Sequence, residues 1–259
     1  MSERFKHFDE FYYLTKNENR DLIELAKYVN DNGNKLGPYE GNMFCPECRE
    51  AELYFVHRTS RVREHLRRCP TSKHNDNCTY NYQYASKHTV TEVINSMTHN
   101  EVEDKLNSII NMLFKTSRQK KNSTDDGITA ITKSNPMMIY QTKSADRVVR
   151  VLRRKKLNVW VDDEDVGNAF VFYGKVKLEV EARERKLKNR PSKYYCLKVY
   201  NVNEKGELIF RTSLYRGEIK DNISVDDLYY IAIIGCIGKK GWQIDMVNKN
   251  AVKYCKCET

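Results

Sequence analysis

Ala169-Phe170-Val171-Phe172-Tyr173-Gly174-Lys175-Val176-Lys177-Leu178-Glu179-Val180 decides how the C-terminal half of this chain folds. Its aromatic and β-branched residues suit a pleated surface, and from Lys175 onward charge alternates with apolar side chains at the two-residue strand period. Gly174, inside an extended pattern, predicts a bulge or a sharp coil. Working outward, Tyr194–Val202 and Leu208–Tyr215 flank the turn Asn203-Glu204-Lys205-Gly206, a hairpin signal. Tyr229–Ile237 and Trp242–Val247 also read as strands, although Ser224 or Asp227 can cap a helix over the first of them. Five such segments, the first long and interrupted by glycine, predict a small antiparallel β-barrel of OB type.

Upstream of that strand, Val148, Val151 and Leu152 oppose Arg147, Arg150 and Arg154, which predicts a short basic helix capped by Ser144. Lys115 to Gly127 contains no apolar residue and ends in a turn signal, so it reads as a basic linker. Before it, Val90, Val93, Ile94, Met97, Val102, Leu106, Ile109, Ile110 and Leu113 keep a helical stripe over 89–114. A break is expected at Thr98-His99-Asn100, where Asn100 and Glu103 have capping-box spacing. The stripe needs a partner, either the cysteine-rich segment or another chain. A shorter helix over 18–30 places Leu22, Leu25, Ala26 and Val29 on one face. The expected organisation is α+β: residues 1–114 form a metal-binding module with its helices, 115–127 link, and 128–259 carry the basic helix and the barrel.

The chain has eight cysteines, four of them (Cys45, Cys48, Cys69, Cys78) in one short polar stretch, and five of its six histidines lie between 57 and 99. Two soft ligand types placed together point to a metal rather than to disulfides. Cys45-Pro46-Glu47-Cys48 is a knuckle that turns two thiolates toward one point, and zinc takes four such donors tetrahedrally. His65-x3-Cys69 and His74-x3-Cys78 share one spacing, and either pair completes a Cys3His site. His74 and Cys78 are favoured, because Pro70 to Cys78 is polar and turn-rich whereas Arg61 to Arg68 has a helical look. The expectation is one structural zinc per chain, held by Cys45, Cys48, His74 and Cys78.

The order Cys-Pro-x-Cys, then His65-Leu66-Arg67, then a His and a Cys, resembles the N-terminal zinc-binding region of competence protein CoiA-like families. The resemblance covers residues ~40–80, a span short enough that only the ligand spacing carries it. It implies a bacterial or phage protein that handles DNA, with those four residues as ligands, and a nuclease joined to the zinc-binding region. No strand here pairs an Asp with a following Glu-x-Lys, as a restriction-type core requires to hold Mg²⁺. Glu101 with Asp104, and Asp162 to Asp165, are the carboxylate clusters that such a reading would nominate.

Net charge is +10 and unevenly placed. Lys115 to Lys156 holds twelve Lys/Arg against three Asp, and Arg183 to Lys193 holds six against Glu184 alone. Concentrated positive charge is the footprint of a polyanion. Phosphate-loop, HExxH, GxSxG and GxGxxG motifs are missing from the sequence. The expected function is therefore nucleic-acid binding without catalysis, single-stranded DNA favoured, with a protein-interaction role as the rival. Expected contacts are Arg147, Arg150, Arg153, Arg154, Lys155 and Lys156, the loop residues Arg183, Arg185, Lys186, Lys188 and Arg190, and on the strands Tyr173, Lys175 and Tyr195. No apolar run reaches the ~20 residues of a membrane-spanning helix, and the opening residues lack the apolar stretch of a secretory signal. The expected compartment is the cytoplasm.

Overall fold

A computed structural model describes residues 6, 8–114, 135–143, 146–187, 190–239 and 241–257. The fold is mixed α and β, with three α-helices and one large curled sheet among these residues. The chain divides into two compact units after Gln83.

In the first unit, β1 (Glu10–Tyr13) lies between β2 (Glu18–Asp21) and the short β3 (Met43–Phe44), both antiparallel to it. Helix α1 (Leu22–Asp31) follows β2 directly and buries the four expected residues, Leu22, Leu25, Ala26 and Val29. They pack in a unit whose other buried residues include Phe8, Phe11, Tyr13, Tyr39 and Met43. β4 (Leu53–Val56) and β5 (His65–Arg68) form an antiparallel hairpin. The helical look of Arg61–Arg68 is thus overturned: pairing with β4 sets alternate side chains of β5 on opposite faces.

The second unit begins with α2 (Lys87–Ser96) and α3 (His99–Phe114). The break falls where expected, but its cap is Thr98. Its hydroxyl accepts from the Glu101 N–H at 3.3 Å, and the Glu101 carboxylate accepts from the Thr98 N–H at 2.7 Å. Val90, Ile94, Val102, Leu106, Ile109 and Ile110 share a core with sheet residues.

β6 (Met138–Lys143) and β7 (Asp146–Val151) form a hairpin, and β8 (Arg153–Lys156) runs parallel to the next strand. The basic helix expected here is a strand pair instead. Val148, Val149 and Val151 are stiff at χ1 and favour extension, and residues 138–143 supply the partner that sequence spacing does not show. Ser144 lies outside the described residues, as do the linker 115–127 and residues 128–132, which were read as alternating.

β9 (Ala169–Leu187) organises the large sheet. Its first half pairs with β12 (Tyr229–Ile237), and its second half pairs with β10 (Arg190–Val202). β11 (Leu208–Gly217) pairs with β10, while β13 (Ile244–Met246) and β14 (Val252–Lys256) pair with β12. The order β11-β10-β9-β12-β13 curls into a half-barrel. One face, with Ala169, Val171, Ala232 and Ile234, is covered by α2 and α3. The inner face packs Phe170, Phe172, Val176, Leu197, Val199, Leu214, Ile231, Ile233 and Ile244 on one another. Each fully buried side chain of this size contributes ~1.5–3 kcal/mol.

Gly174 is not a bulge, for it keeps register opposite Ile231. A Cβ there would stand 3.4 Å from the Leu157 Cβ, so the glycine leaves room for Leu157 against the inner face. Arg183–Leu187 and Arg190–Lys193 are not loop either, because they pair as the arms of β9 and β10, while residues 188 and 189 lie outside the described residues. Leu228–Ile237, ambiguous in sequence, is strand from Tyr229.

Candidate metal centre

Four side chains of the first unit converge. Cys45 and Cys48 leave the end of β3 in a tight turn, with the Arg49 N–H donating to the Cys45 carbonyl at 2.9 Å and Arg49 at φ 60°. The Cys45 N–H in turn donates to the Ala51 carbonyl at 2.7 Å, which closes the knuckle. Cys78 and His74 come from the polar segment after β5, shaped by Asn75. Its carbonyl accepts from the Cys78 N–H, and its side chain accepts from the Asn77 N–H. Glu47, inside the knuckle, joins the two arms by accepting from both the Thr79 N–H and the Thr79 hydroxyl.

Cys45 Sγ lies 3.7 Å from Cys78 Sγ, and His74 Nδ1 lies 3.5 Å from the sulfurs of both Cys48 and Cys78. All four donor atoms fall within 4.8 Å of one another, a set able to hold a metal ion and compatible with one zinc. Cys45 and Cys78 are buried, and the His74 ring stacks at 5.6 Å on Tyr80, which stacks at 4.3 Å on Phe8. Those rings fix the imidazole plane.

Charge in the cluster is uneven. Burial pushes the Cys45 thiol up to about 12. Hydrogen bonds from Cys45 and Cys78 hold Cys48 far below the ordinary thiol range, and the bond to Cys45 drives Cys78 far above it. Thiol ligands bind a metal as thiolates, so metal binding here is coupled to proton release. Cys69 stands apart, its N–H donating to the Glu52 carbonyl at 2.9 Å. His65 is buried in β5, with Nδ1 at 2.8 Å from the Arg63 carbonyl. Among the described residues this is the one group of three or more His, Cys, Asp or Glu side chains placed to hold a metal.

The expected nucleic-acid contacts scatter by environment. Tyr173 is 1% exposed and meets Phe114 edge-on at 5.9 Å, so it is a core ring and offers no face to a base. Lys155 is 6% exposed and pairs with Asp165 at 2.7 Å. Parallel pairing with β9 turns it into the protein, against the expectation of a surface charge. The Arg153 guanidinium lies 4.7 Å over the Tyr84 ring. Arg150, Arg154 and Lys156 are half-buried along β7 and β8, while Lys175, Arg183 and Arg185 are exposed on β9. Arg147, Lys186 and Arg190 occupy strand positions whose side chains lie outside the described set, and Lys188 lies outside the described residues. Arg185 of β9 stands 5.6 Å from the Tyr194 ring of β10 and 5.9 Å from Tyr215 of β11, and Lys193 stands 5.7 Å from Tyr195, both on β10. Sequence reading missed Tyr194 and Tyr215 as members of that cluster. Cross-strand register brings them together, and a single strand's alternation does not reveal it.

Two of the nominated carboxylates have structural partners. Glu101 caps α3, and Asp165 accepts from the Asp162 N–H and pairs with Lys155. None of the described helices is long and apolar enough to cross a membrane. No protein-family model, curated protein or solved structure matches the chain.

Proposed function

We propose that this chain is a zinc-containing, non-catalytic nucleic-acid-binding protein, with single-stranded DNA as its favoured ligand. Cys45, Cys48, His74 and Cys78 hold one zinc. Bonds of about 2.3 Å to sulfur and 2.0–2.1 Å to nitrogen at tetrahedral angles require S···S near ~3.8 Å and S···N near ~3.5 Å. The separations of 3.7 Å and 3.5 Å support that identity. Four protein donors leave no open position for substrate, so the zinc is structural.

The curled sheet is OB-like in this reading. A long first strand shared between two neighbours, in the order β11-β10-β9-β12-β13, supports it. The observation that carries nucleic-acid binding is the cluster of Tyr194 and Tyr215 with Arg185 upon them, while Lys193 over Tyr195 adds a second cation–ring pair on the other face of β10. Tyr215 is 50% exposed. Rings supply faces on which bases stack, and cations track the phosphates. Fluorescence anisotropy with single-stranded DNA, duplex DNA and RNA across a salt series tests it. Single strands should bind best, with affinity falling by ~0.7 in log K per log salt for each phosphate contact. Weak, salt-independent binding to all three would reject the reading.

A further inference from the structure

Strand β11 departs from regular pairing with β10 twice, each time at an arginine. Register passes from Val199 opposite Thr212 to Tyr200 opposite Phe210, which leaves Arg211 as the extra residue. It passes from Cys196 opposite Tyr215 to Tyr195 opposite Gly217, which leaves Arg216 as the extra residue. An extra residue in one strand re-aims its side chain away from the alternation of its neighbours.

The two arginines meet different surroundings. Arg216 is buried and makes a two-pronged contact with Asp221, at 2.8 Å from Nε and 3.0 Å from a terminal nitrogen. The Tyr254 hydroxyl and the Lys249 carbonyl complete that arrangement. Among the described residues Arg211 has no such anion. Its guanidinium lies 5.6 Å from the Trp242 ring, and its Nε is buried without a hydrogen-bond partner among the described residues. Burial lowers its pKa, so the site disfavours the charge it holds. Asp245, the carboxylate of β13, accepts instead from Gln243 at 3.3 Å, and among the described residues makes no ion pair with Arg211.

The place matters as much as the residue. Arg211 sits at the seam of the half-barrel. There β11 and β13 touch through the Thr212 hydroxyl, which accepts from the Ile244 N–H at 3.3 Å, while no ladder joins the two strands among the described residues. Trp242 meets Phe172 of the inner core at 6.2 Å, which gives the guanidinium a fixed shelf. Lys239 is exposed on the connection from β12 to β13. Phe210, the residue before Arg211, is 53% exposed and pairs its ring with Tyr200 at 5.6 Å.

We infer that Arg211, aimed by the bulge over Trp242 at the open seam, is a phosphate-binding site, its ligand a phosphate of a single-stranded nucleic acid. Arg216 with Asp221 is a related device with its anion supplied by the protein; at Arg211, whose Nε is buried, the ligand meets the terminal guanidinium nitrogens. A guanidinium donates to phosphate oxygens in the same forked geometry as to a carboxylate. The choice of a polynucleotide rests on the function proposed above, whereas the phosphate site itself does not.

The chain has two tryptophans, so a Trp160→Phe variant leaves Trp242 as the sole reporter beside Arg211. Its emission is followed while inorganic pyrophosphate and a short oligodeoxythymidylate are titrated, in that variant and in Arg211→Gln and Arg211→Lys on the same background. Both ligands should alter Trp242 emission. Arg211→Gln should weaken oligonucleotide binding by roughly tenfold to a hundredfold, as expected for hydrogen bonds to a charged group. It should also flatten the salt slope by about 0.7, with unfolding temperature unchanged or raised. Arg211→Lys should retain part of the affinity. Anisotropy with a labelled oligonucleotide on the chain with Trp160 intact gives the same comparison if Trp160→Phe does not fold. Pyrophosphate binding without oligonucleotide binding would sink the nucleic-acid function and keep the phosphate site. Equal affinity and salt slope in Arg211→Gln would sink the site and keep the function. A lowered unfolding temperature with unchanged binding would make Arg211 a structural residue and overturn the inference.

Discussion

Replacing Lys155 by Met removes the cation from a pair that the fold has taken out of water. Lys155 is 6% exposed, the Asp165 side chain is 15% exposed, and their charged atoms stand 2.7 Å apart. Taking one partner from a buried pair costs ~3–5 kcal/mol, because the other charge is left without compensation. Asp165 keeps the Asp162 N–H at 2.8 Å and some contact with solvent, which places the expected loss near the lower end, about 3 kcal/mol. At ~2–4 °C per kcal/mol for a unit of this size, the melting temperature should fall by about 6–12 °C. Urea unfolding of Lys155→Met, Asp165→Asn and the double variant measures the coupling directly. The double variant should recover most of the loss, since it removes both charges. Lys175→Met, at an exposed position on β9, should stay within about 0.5 kcal/mol of wild type. A Lys155→Met variant as stable as Lys175→Met would refute the buried pair and return Lys155 to the solvated surface that its sequence run suggests.

Three further outcomes follow from the packing. Tyr173→Ala should cost about 3–5 kcal/mol in urea unfolding, while oligonucleotide affinity of the folded protein stays unchanged, because this ring is core. Gly235→Ala should destabilise by about 1–3 kcal/mol, since a Cβ there would meet the Asp245 carbonyl oxygen at 2.7 Å and force β13 away; an ordinary melting temperature would contradict that contact. Lys105, whose Nζ donates to the Met138 carbonyl at 3.0 Å, has its ammonium pushed down to about 8 by burial. The unfolded chain, titrating near ~10.4, then binds more protons between pH 8 and that value. Stability should therefore rise with pH across this window, by about 1–3 kcal/mol after allowance for partial exposure. Lys105→Met should flatten that rise, and an unaltered pH profile would contradict it.

The strands of the large sheet were legible because each carries its own alternation. β11 to β13 fall within a few residues of the expected segments, β9 and β10 extend beyond theirs into the expected loop, and the helical stripe is interrupted at the expected break. The Cys45–Cys48 knuckle was equally legible, since the chemistry sits within four residues. What the sequence left open was decided by partners distant along the chain. Val148, Val151 and Leu152 fit a helical spacing, yet the hairpin with 138–143 makes the two valines strand. His65 and His74 have identical spacing to a cysteine. Pairing of β5 with β4 sends Cys69 toward Glu52, and the Asn75 turn sends Cys78 to the knuckle. Lys155 stands in a run of four basic residues, and nothing local marks it as the one that β9 turns inward. The bulges at Arg211 and Arg216 exist only as a count of residues on two paired strands, so no reading of β11 alone reveals them.

The metal centre is tested most directly by native mass spectrometry of the purified chain beside its Cys69→Ser and Cys78→Ser variants, with the metal identified by elemental analysis. Wild type and Cys69→Ser should each carry one zinc per chain, and Cys78→Ser should carry none and lose solubility, because its thiolate closes the tetrahedron with Cys45, Cys48 and His74. Wild-type protein that binds no zinc, or zinc lost in Cys69→Ser and retained in Cys78→Ser, would contradict the site.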